Sequence, residues 1–423
     1  MRVLWVCNIM LPVIAKQLGI SYSNKEGWLT GLSQRILSEE ENGITLGVCF
    51  PSDTPVSGKL TGKELYYYSF CEDTVHEECY DPSLETSMTS IMEQFKPDIV
   101  HCFGTEYGHT YAAVKAFGRP DRTLIGLQGI CHACAQHYLD GIPENVAKRT
   151  TFRDFIKKDN LLMQKQKMAK RGEREIRALK LTGHVTGRTE FDQKAVSQVN
   201  PGAVYHFMNE TMRSNFYGPE WSLAGCEKHS VFVSQGNYPI KGLHFMLRAL
   251  PLLKERYPDV HLYVAGDNIV RENTLIGRMK ISSYGKYIRD LINAENIREQ
   301  ITFLGPLDAA SMCDRFLKSH VFASVSTIEN SPNSVGEAML LGVPVVSSRV
   351  GGVPDMLTDE EEGLLYETED TDALVHAISR IFEDDALTQQ LSAAARIHAR
   401  RTHDADVNFG RLLEIYHDID VYQ

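Results

Sequence analysis

The sequence predicts an α/β chain built from two doubly wound parallel-sheet domains in tandem, and three observations predict it. Short β-branched runs alternate with longer amphipathic ones from the first residues onward, the pattern of parallel strands joined by crossover helices. That alternation occurs twice, on either side of a less regular, linker-like stretch near 200–228 that holds Pro201, Gly202, Gly218, Pro219 and Gly225. At 423 residues, 43% hydrophobic and 23% charged, the chain has the length of two or three domains and the composition of an ordinary soluble protein.

In the first series, strands are expected at 2–9, 44–50, 65–70, 98–104 and 123–129, with helices near 27–40, 83–95 and 109–117. The second opens with "SVFVSQG" (230–236) and the helix "GLHFMLRALPLLKERY", followed by strands at 260–266, 301–305, 321–326 and 343–348. Helices near 371–383, 386–400 and 403–418 close the chain, and there is no internal repeat or low-complexity tract. Open parallel sheets bind ligands beyond the carboxyl ends of their strands, where helix N-termini point into the crevice. With two such domains facing each other across a cleft, that cleft is the expected site.

Composition narrows the function. No apolar run reaches 18 residues and the N-terminal stretch lacks the form of a signal peptide, so a cytoplasmic protein is expected. Nine scattered cysteines, several inside strand-like runs, fit buried thiols in a reducing compartment. A net charge of −11 argues against nucleic acid as a partner. One local exception stands out. Residues 148–180 hold twelve Lys/Arg against four Asp/Glu, with Phe152, Phe155, Ile156, Leu162 and Met163 at roughly helical spacing among them. Such a segment suits peripheral contact with an anionic membrane, at the inner face of the plasma membrane, or a diphosphate-bearing lipid-linked acceptor. A solvated helix packed by its apolar stripe explains the pattern equally.

The stretch "TIENSPNSVGEAMLLGVPVVSSRVGGVPDM" (327–356) sets Glu329 and Glu337 around a polar turn between a strand and a helix. Glu337, expected in the helix's first turn, has a bland role as a charge favoured by the helix dipole, worth about 0.3–1 kcal/mol. Two carboxylates also suit a polyhydroxylated ligand, since each accepts strong hydrogen bonds from vicinal hydroxyls. Backbone N–H groups over Asn333, Ser334, Val335 and Gly336 would suit a phosphate.

Glu-x7-Glu followed by "EAMLLGVPVVSS" and "VGGVPDML" closely resembles the nucleotide-sugar-dependent retaining glycosyltransferases of family 4, which have the GT-B fold. "VSQGNYPIKGLHFMLRALPLLKERYPDVHLYVAG", "ITFLGPLD" and "EGLLYE" follow that family's order, so the resemblance covers the whole second domain. The first domain matches more loosely, through "EGWLTGL", "KPDIVHCFGTE" and "GRTEFDQKAV…NP…NETMRSNFY". The resemblance implies an acceptor-binding domain over 1–222, a donor-binding domain over 223–402, and a last helix, 403–423, that returns to the first domain. It implies that Glu329 contacts the donor sugar near the reacting carbon, that Glu337 holds the ribose hydroxyls, and that Lys241 binds the diphosphate. It further implies a nucleotide sugar of UDP or GDP type as donor, a glycan or lipid-linked acceptor, and no metal or other cofactor. A GT-B-related phosphorylase or epimerase, or a non-catalytic homologue that binds lipid or a partner, is the alternative.

Two departures from the family's pattern bear on the site. Where the family carries an arginine six residues before the lysine, this chain has Gln235, which removes one cation and makes Arg349 and Arg188 candidates to replace it. Where many members carry a His-Gly pair, this chain has Gln128-Gly129, able to hydrogen-bond a sugar hydroxyl but not to act as acid or base. Other candidates sit at strand ends. Gly27 fits a close approach to donor phosphates or acceptor, and equally a helix start. Glu106, His132, His137 and Arg188 are candidates for acceptor or sugar, each with a structural explanation as well. Cys131, Cys134 and His137 have the spacing of half a zinc site, but a second pair of ligands is missing nearby.

Overall fold

The computed structural model describes residues 1–20, 27–38, 43–271 and 274–421. They divide into two compact units: the first comprises Met1–Ala133, Lys167–Arg213 and His403–Gln423, the second Cys134–Gln166 and Ser214–Thr402.

The first unit holds strands β1 (Arg2–Val6), β2 (Thr45–Pro51), β3 (Ser57–Lys59), β4 (Leu65–Phe70), β5 (Ile99–Phe103), β6 (Thr123–Gly126), β7 (His184–Gly187) and β8 (Val204–Phe207). They form one sheet in the order β3-β4-β2-β1-β5-β6-β7-β8, parallel throughout except for β3 against β4. Val3 to Val6 of β1 and all five residues of β5 are buried on both faces, as a parallel sheet covered by helices requires. The C-terminal helix Ala405–Val421 belongs to this unit. It buries Phe409, Leu412, Ile415, Tyr416 and Ile419, and the Tyr416 hydroxyl accepts the indole N–H of Trp5 at 2.8 Å.

The second unit holds β9 (Glu227–Val233), β10 (His261–Ala265), β11 (Ile301–Gly305), β12 (Ser319–Ser324), β13 (Val345–Ser348) and β14 (Leu364–Tyr366), all parallel, in the order β11-β10-β9-β12-β13-β14. This is the doubly wound order in which the strand direction of travel reverses between β9 and β12, the place where such sheets take ligands. Helices Leu243–Arg256 and Thr371–Glu383 close one core: Leu243, Met246, Leu247, Leu250 and Leu253 recur every three or four residues and meet Leu374, Ile378 and Ile381. Each such side chain contributes about 1.5–3 kcal/mol on leaving water.

The structure corrects the expected division at two places. Residues 134–166 group with the second unit, because Leu139, Ile142, Val146 and Leu161 pack in its core and the carbonyls of Asp140 and Gly141 bond His244 and Arg248. The stretch expected to be a linker contains β8, whose outer edge leaves Val204 and Phe207 exposed, and the division falls between Arg213 and Ser214. Among the described residues, no helix is long and apolar enough to cross a membrane.

Candidate functional site

Beyond β12 the chain crosses a short loop before the helix Asn333–Leu341. Neighbouring turns fix the backbone of that loop. The Thr327 N–H donates to the Ile240 carbonyl at 2.8 Å, the Ser348 hydroxyl to the Ser326 carbonyl at 2.7 Å, and the Gly352 N–H to the Glu329 carbonyl at 3.1 Å. Two glycines permit the close packing. Gly242, at φ +66°, lies so near the Val325 carbonyl that a Cβ there would stand 1.7 Å from its oxygen; at Gly351, φ +53°, a Cβ would stand 1.9 Å from the Glu329 oxygen.

This stitching brings together the two residues expected to do the chemistry. The Lys241 ammonium, at the end of the turn Pro239–Lys241, donates to Glu329 Oε1 at 2.5 Å, and the Ser326 hydroxyl donates to the same oxygen at 2.6 Å. Both side chains are largely shielded, 21% and 12% exposed. Burial works against the lysine's charge, but the Glu329 carboxylate outweighs it and raises the Lys241 pKa, so the cation persists. Beside the pair, both polar atoms of the Asn330 amide and the Ser331 hydroxyl are buried without a hydrogen-bond partner among the described residues. Each such orphan costs about 1–3 kcal/mol, a cost a bound polar ligand or water removes. Neither residue was singled out from sequence, although the polar run "ENSPNS" at a strand end was the available signal.

The helix start departs from expectation. Helix Asn333–Leu341 begins at Asn333, so Glu337 lies in the second turn and not the first, and it is 5% exposed. A dipole effect fades beyond the first turn, which weakens the bland explanation of Glu337. The amides of Val335 and Gly336 donate to the Pro332 carbonyl at 3.0 and 3.4 Å, so the N–H groups expected to meet a phosphate do not include these two; Asn333 and Ser334 occupy the first two helical positions.

Gln235 follows the end of β9, half-buried, with its Cγ 3.7 Å from where a Cβ on Gly266 would stand. Next to it, Asn237 Oδ1 is buried without a partner among the described residues. The two candidate replacements for the missing cation are committed elsewhere. Arg349 pairs with Asp359 and, at 3.1 Å, with Glu367. Arg188, in the first unit, pairs with Glu210 at 3.3 Å.

In the first unit, Glu210 is the residue the sequence did not single out. Buried at 5% exposure, it accepts from Gln128 Nε2 at 2.8 Å as well as from Arg188, and its own carbonyl accepts from His403 Nδ1 at 2.7 Å. Gln128 and Arg188 are thus two arms of one network. Glu175, fully buried, plays a similar part: it accepts from the Thr105 hydroxyl at 2.5 Å, from the amides of Cys131 and His132 at 3.0 and 3.1 Å, and meets His132 Nδ1 at 2.7 Å. His132 is therefore held by a carboxylate of the long basic helix Leu161–Lys180. His137 belongs to the second unit, pairs with Asp140 at 2.7 Å, and lends its carbonyl to the Thr327 hydroxyl at 3.0 Å. Among the described residues, no group of three or more His, Cys, Asp or Glu is placed to hold a metal ion. Gly27 opens the helix Gly27–Ser38, while residues 21–26, the loop it was expected to close, lie outside the described residues.

Glu106 carries a perturbed carboxyl. Burial pushes its pKa up to about 7, reinforced by Glu175 and opposed by a backbone N–H and by Arg171. In the unfolded chain the same carboxyl ionises near 4.3. Between these values the folded state holds the proton and the unfolded state does not, so stability falls as pH rises, by up to about 1.4 kcal/mol per unit. Replacing Glu106 with Gln is expected to flatten that decline, which urea titrations at pH 5 and pH 8 check: the variant should match the wild type at the lower pH and exceed it at the higher.

The fold defines a class, and comparison with known proteins agrees with it. Over its whole length the chain is similar to a sucrose-phosphate synthase from Thermosynechococcus elongatus (TM-score 0.70, 14% identity, 100% of each chain). It is also similar to HepE of Anabaena, solved with UDP-glucose (TM-score 0.69, 15% identity, 99% of this chain and 100% of that one). These likenesses place it among GT-B folds. Residues 221–398 match the model of the family "Glycosyl transferases group 1". Among curated relatives, a D-inositol 3-phosphate glycosyltransferase of Saccharomonospora viridis is 31% identical over 191 residues, 42% of this chain and 42% of that protein. The chain thus spans less than half the length of that relative.

Proposed function

We propose that the chain transfers a sugar from a nucleoside-diphosphate donor to a glycan or lipid-linked acceptor, with retention at the anomeric carbon. One observation carries the proposal: Lys241 and Glu329, 88 positions apart, meet at 2.5 Å at the carboxyl-terminal edge of a doubly wound sheet, beside the buried, unpartnered side chains of Asn330 and Ser331. The family of residues 221–398 and the UDP-glucose complex of HepE support a nucleotide sugar as the donor.

In the proposed step the bond between the anomeric carbon and the diphosphate oxygen breaks, and the acceptor hydroxyl oxygen bonds to that carbon on the same face. The hydroxyl proton passes to the departing diphosphate. Lys241 has three N–H donors, so it keeps Glu329 while a second N–H meets the phosphate charge as it develops. Glu329, fixed by Lys241 and Ser326, faces the sugar and favours positive charge at the anomeric carbon. Glu337 accepts from the ribose hydroxyls, and the start of the helix at Asn333 and Ser334 faces the diphosphate. The proposal assigns the leaving-group charge to these groups rather than to a metal. Gln235 favours a second reading, a nucleotide-sugar binder without turnover, since one expected cation is missing.

A thermal-shift panel of UDP-, GDP-, ADP- and TDP-sugars tests the donor. At a hundred times its dissociation constant a true donor adds about 2.7 kcal/mol of stability. That shift is expected to shrink in Glu337→Gln. No shift with any donor overturns the proposal; a shift without release of nucleoside diphosphate to any acceptor selects the second reading.

A further inference from the structure

The basic stretch that the sequence presents as one segment has two fates. Its C-terminal half is structural: Arg171 and Lys167 pair with Glu77 and Glu78, and Arg174 donates to the carbonyls of Glu77 and Glu106. Its N-terminal half lies on the second unit, and there the apolar residues face water. Phe152, Phe155 and Ile156 of the helix Phe152–Lys157 are 54%, 72% and 63% exposed. The adjoining helix Leu275–Lys280 adds Leu275, Ile276 and Met279 at 77%, 65% and 46%.

These side chains are exposed although the backbone beneath them is firmly held. A Thr151–Asp154 capping box starts the first helix, Asp154 accepts the Ser283 N–H at 2.8 Å, and the Thr151 hydroxyl donates to the Ile281 carbonyl at 2.7 Å. A rigid platform thus presents six large apolar side chains. Against it opens a cavity of about 430 Å³, lined by Phe152 and by four cations, Arg149, Arg278, Lys286 and Arg289. Asp290 meets Arg149 and Lys286, each at 3.1 Å. Arg289 Nη1 is buried without a partner among the described residues. On a chain of net charge −11, such a cluster next to an apolar platform is a local inversion of sign.

We propose that this face of the second unit docks on an anionic phospholipid bilayer. A lipid phosphate enters the cavity among Arg278, Lys286 and Arg289, while Phe155, Ile156, Leu275 and Ile276 enter the boundary between headgroups and acyl chains. Charge complementarity selects this occupant, because the cations line a cavity directly beside the exposed apolar helices. The surface shares no residue with the Lys241–Glu329 site, so its test is independent of sugar transfer.

The full chain is sedimented with vesicles of phosphatidylcholine, alone or mixed with phosphatidylglycerol. Binding is expected to the mixed vesicles only and to weaken with salt. Arg278→Gln with Arg289→Gln is expected to weaken it about 25-fold, about fivefold for each charge removed. Phe155→Ser with Ile156→Ser is expected to weaken it by about tenfold or more. Melting curves check that both double variants fold, so that a loss of binding reads on the surface. Equal binding to neutral vesicles, no binding to either kind, or undiminished binding by Phe155→Ser/Ile156→Ser overturns the proposal. Stabilisation by soluble glycerol phosphate without vesicle binding also overturns it, and marks a site for a free phosphate; so does binding that is satisfied only by an acidic protein.

Discussion

Lys241→Ala is expected to lower kcat/KM for sugar transfer by about 10²–10³, the usual effect of removing one donor aimed at developing charge. The structure adds a reason for the loss beyond the missing charge on the diphosphate. Glu329 Oε1 accepts from Lys241 at 2.5 Å and from Ser326 at 2.6 Å. Without the ammonium, a largely shielded carboxylate keeps one neutral donor and loses its orientation toward the sugar. Stability should drop by about 1–3 kcal/mol, visible as a lower melting temperature without ligand. Lys241→Arg keeps the charge and is expected to retain more of the stability than of the activity, since a planar guanidinium does not reproduce the ammonium's geometry. The pair also makes a quantitative demand. If Lys241 and Glu329 act as a unit, Glu329→Gln and Lys241→Ala together should cost much less than the sum of the two alone. Initial rates of nucleoside diphosphate release for the four proteins decide it: full additivity, or wild-type turnover by Lys241→Ala, would sink the assignment.

The fold was legible because parallel strands buried on both faces read as near-continuous apolar runs. β4, β11 and the helices 83–95 and 371–383 sit at the expected residues. What the sequence did not show is mostly a matter of edges and of distance along the chain. β3 and β14 have three residues each, and β8 leaves half its side chains in water, so none has the apolar run that marks a central strand. The expected strand 230–236 overran its real end at Val233, and the surplus, Ser234 to Gly236, is loop at the site. A strand's carboxyl end and a ligand loop share small and apolar residues, so composition does not separate them. The candidate residues were found one by one, but their partners were not. Glu210 organises Gln128 from 82 positions away and also holds Arg188, and Glu175 organises His132 from 43, relations no spacing rule contains. For the same reason residues 134–166 seemed to belong with the sequence around them, although their apolar side chains complete the other unit's core.

Gly351→Ala and Gly242→Ala are expected to cost about 2–5 kcal/mol each, although both glycines lie on loops. The ordinary penalty for a side chain in the left-handed region is about 1–2 kcal/mol. Here a second term adds to it. A Cβ at Gly351 would stand 1.9 Å from the Glu329 carbonyl oxygen, and one at Gly242 1.7 Å from that of Val325. Both obstacles are backbone, so no rotamer change relieves them, and the loop itself must move; overpacking of this kind costs about 1–3 kcal/mol. Gly62 provides the control, because its φ of +74° is similar but nothing lies within 4 Å of its added Cβ. Gly62→Ala should lose about 1 kcal/mol. For a unit of this size the two site variants should melt about 4–20 °C lower. Their loss of function should exceed what unfolding explains, because Gly242 follows Lys241 directly and Gly351 packs on the carbonyl of Glu329. At a temperature where Gly351→Ala is still folded by circular dichroism, its donor-induced thermal shift should therefore be small or absent. A folded Gly351→Ala that retains the full shift would separate the glycine from the site and leave it a role in stability alone.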